Sequence, residues 1–225
     1  MRNRIMNVLF LTLHDITDVH ERGIYSDLVR EFVRHGHSFY VVKPNERSTG
    51  RPTEETESGG VRILGVRTLN IQKTNVVEKG IGTLLLEGQY YRAIRKYFKG
   101  VKFDLILYST PPITFNKVIA SLKSLYGART YLLLKDIFPQ NAVDLGMFPE
   151  RSLLHKFFRA KEKRLYALSD MIGCMSPANV EYVLKHNPEV ERKRVEVCPN
   201  SVEPVAHAEV VDRDAVLGRL GVPAG

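Results

Sequence analysis

The feature that most constrains the fold of this chain is a regular alternation of short apolar runs with segments of helical periodicity. Four such runs lie at residues 7–13, 38–42, 103–108 and 131–134. Continuous apolar runs of this length are typical of strands buried on both faces of a parallel sheet. After the first run, apolar residues recur at helical spacing from Ile24 onward. Strand, helix and strand in this order predict an α/β fold with a Rossmann-like, doubly wound and mostly parallel sheet.

The same alternation continues without a break to residue 198. We predict further strands at 61–68, 171–175 and 194–198, and helices at 24–34, 82–99, 114–126, 152–168 and 178–186. Residues 1–205 are therefore expected to form one domain. Within it, residues 44–60 are rich in Pro, Ser, Thr and Gly and are predicted to be a mobile loop, longer than most loops in compact domains. Residues 206–225 are expected to begin an interdomain linker or helix, with a second domain outside this sequence.

Composition indicates a soluble globular protein with an anionic partner. Hydrophobic residues make up 44% and charged residues 26%, and no apolar run approaches the roughly 18 residues of a membrane span. The two cysteines, Cys174 and Cys198, lie in apolar runs without metal-ligand spacing, so we expect reduced thiols and a cytosolic location. The net charge of +8 favours nucleic acid, an anionic membrane or phosphorylated small molecules as partners.

Two of the predicted helices carry much of the positive charge. Each combines an apolar and aromatic side with a side rich in Lys and Arg, which suits an anionic membrane surface. The plain alternative is a core helix with a solvated charged face. Nucleic acid is disfavoured because the sequence has no RNP, helix-turn-helix or zinc-finger pattern. The residues predicted to face a membrane are Arg92, Arg95, Lys96, Lys99, Lys156, Arg159, Lys161 and Lys163.

Polar residues follow two of the predicted strands directly. Lys135 and Asp136 end the 131–134 strand, and the sequence Ser-Thr-Pro-Pro at 109–112 ends the 103–108 strand. In open parallel sheets, ligands bind outside the carboxyl ends of the strands. Asp136 is therefore a candidate to orient or deprotonate a substrate hydroxyl, or it simply caps a turn before Phe138 and Pro139. The proline run at 111–112 is equally compatible with a rigid turn.

The turn at residues 14–23 is a candidate phosphate site. It ends at Gly23 before a helix that starts at Ile24, and helix N-termini attract anions. It contains neither G-x-G-x-x-G nor a Walker sequence, so a simple strand–helix connection is the alternative. The turn is also crowded with His and acidic residues, yet without fixed ligand spacing, and we predict no metal. The triplet Asp212–Arg213–Asp214 is interpreted as a helix start.

Several segments in order resemble the N-terminal half of a family 4 glycosyltransferase of the GT-B architecture. They are VLFLTL, LVREFVRHGHSFYVV, LYSTPPITF, YLLLKDIFPQNAVDLGMF, RAKEKRLYALSD, MIGCMSPANVEYV and VEVCPNSVEP. The resemblance is strongest to the branch that builds bacterial capsule, O-antigen and exopolysaccharide units. It covers nearly the whole chain.

This resemblance implies that the chain binds the acceptor while a second Rossmann-like domain binds a nucleotide-sugar donor. It implies transfer with retention at the anomeric carbon, no catalytic metal and no other cofactor. Asp136 matches the family's catalytic position, and Gly23 and Ile24 match the loop that approaches the donor diphosphate. The acceptor would be lipid-linked and contacted by Ser109, Thr110, Pro111, Lys135 and Gln140. Two features depart from the family: the loop has only one glycine, and the donor-binding carboxylates of the family's second domain, commonly a Glu-x7-Glu motif, have no counterpart here.

Three functions remain open from the sequence. The first is the acceptor-binding half of a glycosyltransferase, peripheral on the inner face of the cell membrane and inactive without its donor-binding half. The second is a non-catalytic membrane-docking or scaffold subunit that recruits a separate donor-binding chain. The third is a nucleotide-dependent oxidoreductase, which the missing G-x-G-x-x-G sequence disfavours.

Overall fold

The computed structural model describes residues 4–72, 74–204 and 217–219. These residues form one eight-stranded sheet in the order β3-β4-β2-β1-β5-β6-β7-β8. The strands are β1 (Asn7–Leu11), β2 (Ser38–Glu46), β3 (Glu54–Ser58), β4 (Val61–Thr68), β5 (Leu105–Ser109), β6 (Arg129–Leu134), β7 (Met171–Cys174) and β8 (Val195–Val197). All neighbouring pairs are parallel except β3 with β4. The predicted α/β fold with a mostly parallel sheet is confirmed.

Helices cover both faces of this sheet. The helices are α1 (Ile24–Arg34), α2 (Val76–Tyr97), α3 (Asn116–Tyr126), α4 (Gln140–Asp144), α5 (Leu153–Leu168) and α6 (Pro177–His186). On one face, α2, α3 and α5 pack side by side over the larger core cluster, to which α6 also contributes. On the other face, α1 packs over a smaller cluster that includes Phe10 and Phe39. Since each α-helix in a parallel crossover runs back against the strands, the helix N-termini lie toward the carboxyl edge of the sheet.

The prediction of a loop over residues 44–60 is wrong at both ends. Residues 44–46 continue β2, because Asn45 is buried there and its side chain donates to the Pro52 carbonyl at 2.8 Å. Residues 54–58 form β3, which returns on β4 through Gly59 and Gly60. Both glycines have positive φ, as a two-residue hairpin turn requires. β3 was not predicted because its residues are mostly acidic and show no apolar pattern. Charged residues are common in edge strands such as this one.

Other boundaries differ by smaller amounts. Helix α2 begins at Val76, six residues before the predicted start, where Asn75 accepts a hydrogen bond from the amide of Glu78. The short helix α4 was not predicted, because five residues are too few to show a period. Cys174 is buried, Cys198 is half-buried, and neither forms a disulfide. The predicted helix start near Asp212 lies outside the described residues.

Candidate functional site

Asp136 lies exposed at the carboxyl edge of the sheet, directly after β6. The buried Thr110, which follows the adjacent strand β5, holds the backbone there. Its hydroxyl accepts hydrogen bonds from the amides of Lys135 (3.0 Å) and Asp136 (3.2 Å), and its own amide donates to the Leu133 carbonyl at 3.1 Å. Thr110 therefore fixes the backbone that carries the exposed Asp136. Because the Thr110 hydroxyl already makes these hydrogen bonds, it is not free to bind an acceptor.

Tyr25, in the first turn of α1, completes a polar cluster around Asp136. Its hydroxyl lies near the Ser109 side chain, and its ring centroid lies 5.6 Å from that of His14 in the turn after β1. Burial raises the pKa of Tyr25 most strongly; the Ser109 side chain acts in the opposite direction, and the charge of Asp136 raises the pKa further. Tyr25 is therefore a neutral hydroxyl at physiological pH, available as a hydrogen-bond donor or acceptor.

Tyr25 was not among the predicted site residues, and His14 was weighed only as one of the His and acidic residues of the 14–23 turn that could bind a metal. The available signal was the position of Tyr25, two residues after Gly23 at the start of a helix that follows a parallel strand. Such a position lies at the ligand-binding edge of the sheet. Together, His14, Tyr25, Ser109 and Asp136 offer a carboxylate, two hydroxyls and an imidazole within one site, which suits hydrogen bonding to a hydroxylated substrate and removal of its proton.

The other predicted acceptor-binding residues do not all join this cluster. Lys135 is half-buried, which lowers its pKa, while the nearby Cys198 acts in the opposite direction. The Gln140 amide donates to the Asp144 carboxylate at 2.8 Å and lines a separate small cavity. Pro111 is exposed beside the buried Thr110. Of the five predicted residues, Ser109 lies near the Tyr25 hydroxyl, and Thr110 bonds the Asp136 backbone through its own hydroxyl.

Gly23 precedes α1 and leaves open space beside the helix N-terminus. A Cβ at this position would meet nothing within 4 Å, so a ligand can approach the backbone closely. However, the Gly23 amide already donates to the Asp27 carboxylate at 3.2 Å. The following amides of Ile24, Tyr25 and Ser26 belong to the first turn, where helix geometry provides no internal acceptors. An anion at this end of α1 would therefore meet Ile24 and its neighbours rather than the Gly23 amide.

The acidic and imidazole residues of the 14–23 turn are dispersed. Asp15 forms an ion pair with the buried Lys43, and Asp18 accepts from the Ser58 hydroxyl at 2.7 Å and from the His20 amide at 2.9 Å. Across the described ranges, no group of three or more His, Cys, Asp or Glu is arranged to hold a metal ion. The prediction of a metal-free site stays a prediction.

The two basic helices, α2 and α5, lie in one layer on opposite sides of α3. Most of their predicted membrane-facing residues are exposed, but Arg159 is not free: it bonds Glu162, the Asn187 side chain and the His186 carbonyl. Lys161 is half-buried beside the Phe157 ring, and Lys163 pairs with Glu189 at 3.1 Å. Within the residues that the structure describes, no helix is both long and apolar enough to cross a bilayer.

Comparison with known proteins identifies the family. The model described as Glycosyltransferase Family 4 matches residues 24–205, which is most of the chain. The chain belongs to glycosyltransferase family 4. Its sheet and flanking helices match the N-terminal Rossmann-like domain of GT-B glycosyltransferases. No curated protein sequence is a significant match.

Solved structures agree in fold at low sequence identity. A sucrose-phosphate synthase from Thermosynechococcus elongatus is 12% identical, with a TM-score of 0.65 over 97% of this chain and 53% of that chain. An E. coli structure described as trehalose-6-phosphate bound with UDP-2-fluoro glucose is 10% identical, with a TM-score of 0.63 over 95% and 54%. Arabidopsis thaliana UGT89C1 complexed with UDP is 13% identical, with a TM-score of 0.51 over 97% and 55%. This family 4 chain thus spans about half the length of these structures.

Proposed function

We propose that this chain is the acceptor-binding half of a retaining glycosyltransferase, which transfers a sugar from a nucleotide-sugar donor to a lipid-linked glycan. The observation that carries the proposal is the exposed Asp136 at the carboxyl edge, beside Tyr25 and Ser109. Membership of family 4 supports the reaction class. Two structural neighbours are described with bound UDP or a UDP-sugar analogue, which supports a nucleotide-sugar as the donor.

In this proposal the acceptor hydroxyl lies against the Asp136 carboxylate. A carboxylate at this position orients the hydroxyl and accepts its proton as the hydroxyl oxygen bonds to the anomeric carbon on the face that the diphosphate leaves. The bond between that carbon and the diphosphate breaks, and the nucleoside diphosphate departs with the electron pair. Tyr25 and Ser109 hold a neighbouring hydroxyl of the acceptor or donor sugar through their own hydroxyls. Because Thr110 fixes the backbone amides of Lys135 and Asp136, the carboxylate is supported on a rigid element, as catalytic groups require.

The donor diphosphate approaches the N-terminus of α1 from a donor-binding half. The open space at Gly23 and the first-turn amides, including that of Ile24, favour an anion there. No cofactor or metal takes part in the proposed reaction, so a chelator should leave the rate unchanged. Because the donor-binding half is a separate unit in this scheme, this chain by itself is inactive.

The membrane part of the proposal rests on α2 and α5. Both helices lie on the same face of the sheet, and the N-terminal part of each exposes apolar side chains: Leu84 and Leu85 in α2, Leu153 and Phe157 in α5. Their C-terminal parts expose Arg and Lys. An exposed surface of this composition suits the inner, anionic face of a cell membrane, where lipid-linked acceptors of bacterial surface polysaccharides reside.

The proposal is tested by a transfer assay with the full-length enzyme. Membranes that carry lipid-linked acceptors are incubated with a panel of labelled nucleotide sugars, and the anomeric configuration of the product is read by NMR. The expected result is a labelled lipid-linked glycan with the anomeric configuration of the donor. Binding of a donor-binding chain without transfer to any acceptor would contradict the proposal and favour the scaffold function. An inverted product would contradict retention alone.

A further inference from the structure

A groove of about 270 Å³ separates α2 from the β3–β4 edge of the sheet, away from the Asp136 cluster. Its floor and walls come from the segment before β3, from the end of β4 and from the second half of α2. The residues that line the groove include Thr53, Arg67, Gln89, Arg92, Lys96 and Tyr97. The Tyr97 hydroxyl donates to the Thr53 carbonyl at 2.9 Å, so the two walls are tied together.

Three cations line this groove without partners of opposite charge. Arg67 projects from β4, and Arg92 and Lys96 project from α2. In the part of the chain that the structure describes, none of the three forms an ion pair, and no acidic residue lines the groove. Two guanidinium groups and an ammonium around one concave surface suit a phosphate group, which Arg binds through paired N–H donors.

The groove also contains Gln89, whose side-chain oxygen accepts no hydrogen bond from the described residues. This oxygen is buried. A buried acceptor without a donor is destabilising. A ligand that carries a hydroxyl next to its phosphate would supply the missing donor after a small rotation of the Gln89 side chain.

An apolar surface continues the groove along the same helix. Leu85 lies four residues before Gln89, seven before Arg92 and eleven before Lys96, so all four residues share one stripe of α2. Leu85 is 48% exposed, and its neighbours Ile81 and Leu84 are 48% and 74% exposed. A soluble phosphate compound has no apolar part that would contact this surface. A phospholipid does, because its glycerol carries acyl chains next to the phosphate.

We propose that this groove binds the headgroup phosphate of an anionic phospholipid, while Ile81, Leu84 and Leu85 enter the acyl boundary. The inference deepens the membrane part of the proposed function and does not depend on the chemistry at Asp136. The N-terminal half of α2 lies toward the carboxyl edge of the sheet, which is also the edge of Asp136. Contact through this groove would therefore hold the reactive edge close to the bilayer that carries the acceptor.

The test measures sedimentation of the chain with vesicles of phosphatidylcholine, with and without phosphatidylglycerol. The double variant Arg67→Gln/Lys96→Gln removes one cation from each wall, and Arg129→Gln/Lys185→Gln is its charge-matched control at exposed positions elsewhere. We expect binding only with phosphatidylglycerol, about thirty-fold weaker in the groove variant and unchanged in the control, as two basic groups near an anionic surface predict. Added salt should weaken binding further.

A second pair of variants separates a lipid from a soluble phosphate compound. Leu85→Ser should weaken vesicle binding, whereas Ile5→Ser, which also changes an exposed apolar residue, should not. Equal vesicle binding by the two double variants would overturn the proposal, as would binding of glycerol 3-phosphate as tight as vesicle binding and insensitive to Leu85→Ser. Transfer to a soluble acceptor without any vesicle binding would overturn this inference and the membrane part of the proposed function, and it would leave the proposed sugar transfer at Asp136 standing.

Discussion

At the scale of single residues, Tyr25 provides the sharpest test of how the site is built. The change Tyr25→Phe removes a hydroxyl that lies near Ser109 and Asp136, and it keeps the ring against Phe10. We expect kcat of the full-length enzyme to fall about ten-fold, the value of one lost hydrogen bond, while unfolding free energy falls by about 1 kcal/mol or less.

The control for this prediction is Tyr182→Phe, on α6, which removes a hydroxyl remote from Asp136. Steady-state kinetics and thermal unfolding are measured on both variants. Tyr25 acts as a positioning residue if kcat falls and KM and thermal stability change little. An unchanged kcat in Tyr25→Phe would remove Tyr25 from the site.

The sequence predicted which residues lie at strand ends, but it did not predict which side chains contact each other across the fold. Asp136 was identified because an apolar run ends directly before it. Tyr25 was not, because its contact with Ser109 joins residues 84 positions apart, and no local pattern encodes such a contact. Arg159 shows the opposite error: its spacing placed it among solvated cations, yet Glu162 and Asn187 bind it within the fold.

At the scale of elements, two glycines predict stability changes of opposite sign. Gly127 ends α3 at a φ of 63°, and Gly88 lies inside α2; a Cβ at either position would meet nothing within 4 Å. Gly127→Ala should therefore lower the unfolding free energy by about 1 kcal/mol through backbone strain alone. Gly88→Ala should raise it by roughly 0.5–1 kcal/mol, because alanine loses less backbone entropy in a helix.

Urea unfolding of the two variants and the parent protein measures both effects. If Gly127→Ala were as stable as the parent, this would contradict the left-handed backbone conformation of residue 127 at the end of α3. The predicted end of this helix at residue 126 agrees with the structure, in which Gly127 follows in the left-handed conformation that glycine favours. The strand β3 was not predicted, since its acidic residues do not alternate with apolar ones and only pairing with β4 makes it a strand.

At the scale of the whole molecule, Glu203 ties the segment after β8 to α1. Its amide donates to the Asp27 carboxylate at 2.7 Å, its carboxylate pairs with Arg30 and Arg34, and its carbonyl accepts from Arg22 at 2.9 Å. Hydrogen bonds from Arg34 and Arg30 hold the pKa of Glu203 below its ordinary value of 4.5. A carboxyl with a lowered pKa stabilises the fold above its unfolded pKa, and this contribution is lost as pH falls through the folded pKa.

We therefore expect Glu203→Gln to lower the urea midpoint at pH 7 and to match the parent protein once the pH is well below 4.5. Glu181→Gln, at an exposed position on α6, is the control and should have the parental urea midpoint at pH 7. A difference between Glu203→Gln and the parent that persists at low pH would show that the carboxylate charge is not the cause.

If the carboxyl edge of this sheet is catalytic through Asp136, the variant Asp136→Asn should lose sugar transfer. The change keeps the size of an exposed side chain and leaves the backbone bonds to Thr110 in place. We predict that kcat/KM for sugar transfer by the full-length enzyme falls about 100-fold or more, at unchanged thermal stability, while Glu181→Gln retains parental activity. Parental kcat/KM in a folded Asp136→Asn enzyme would contradict the account.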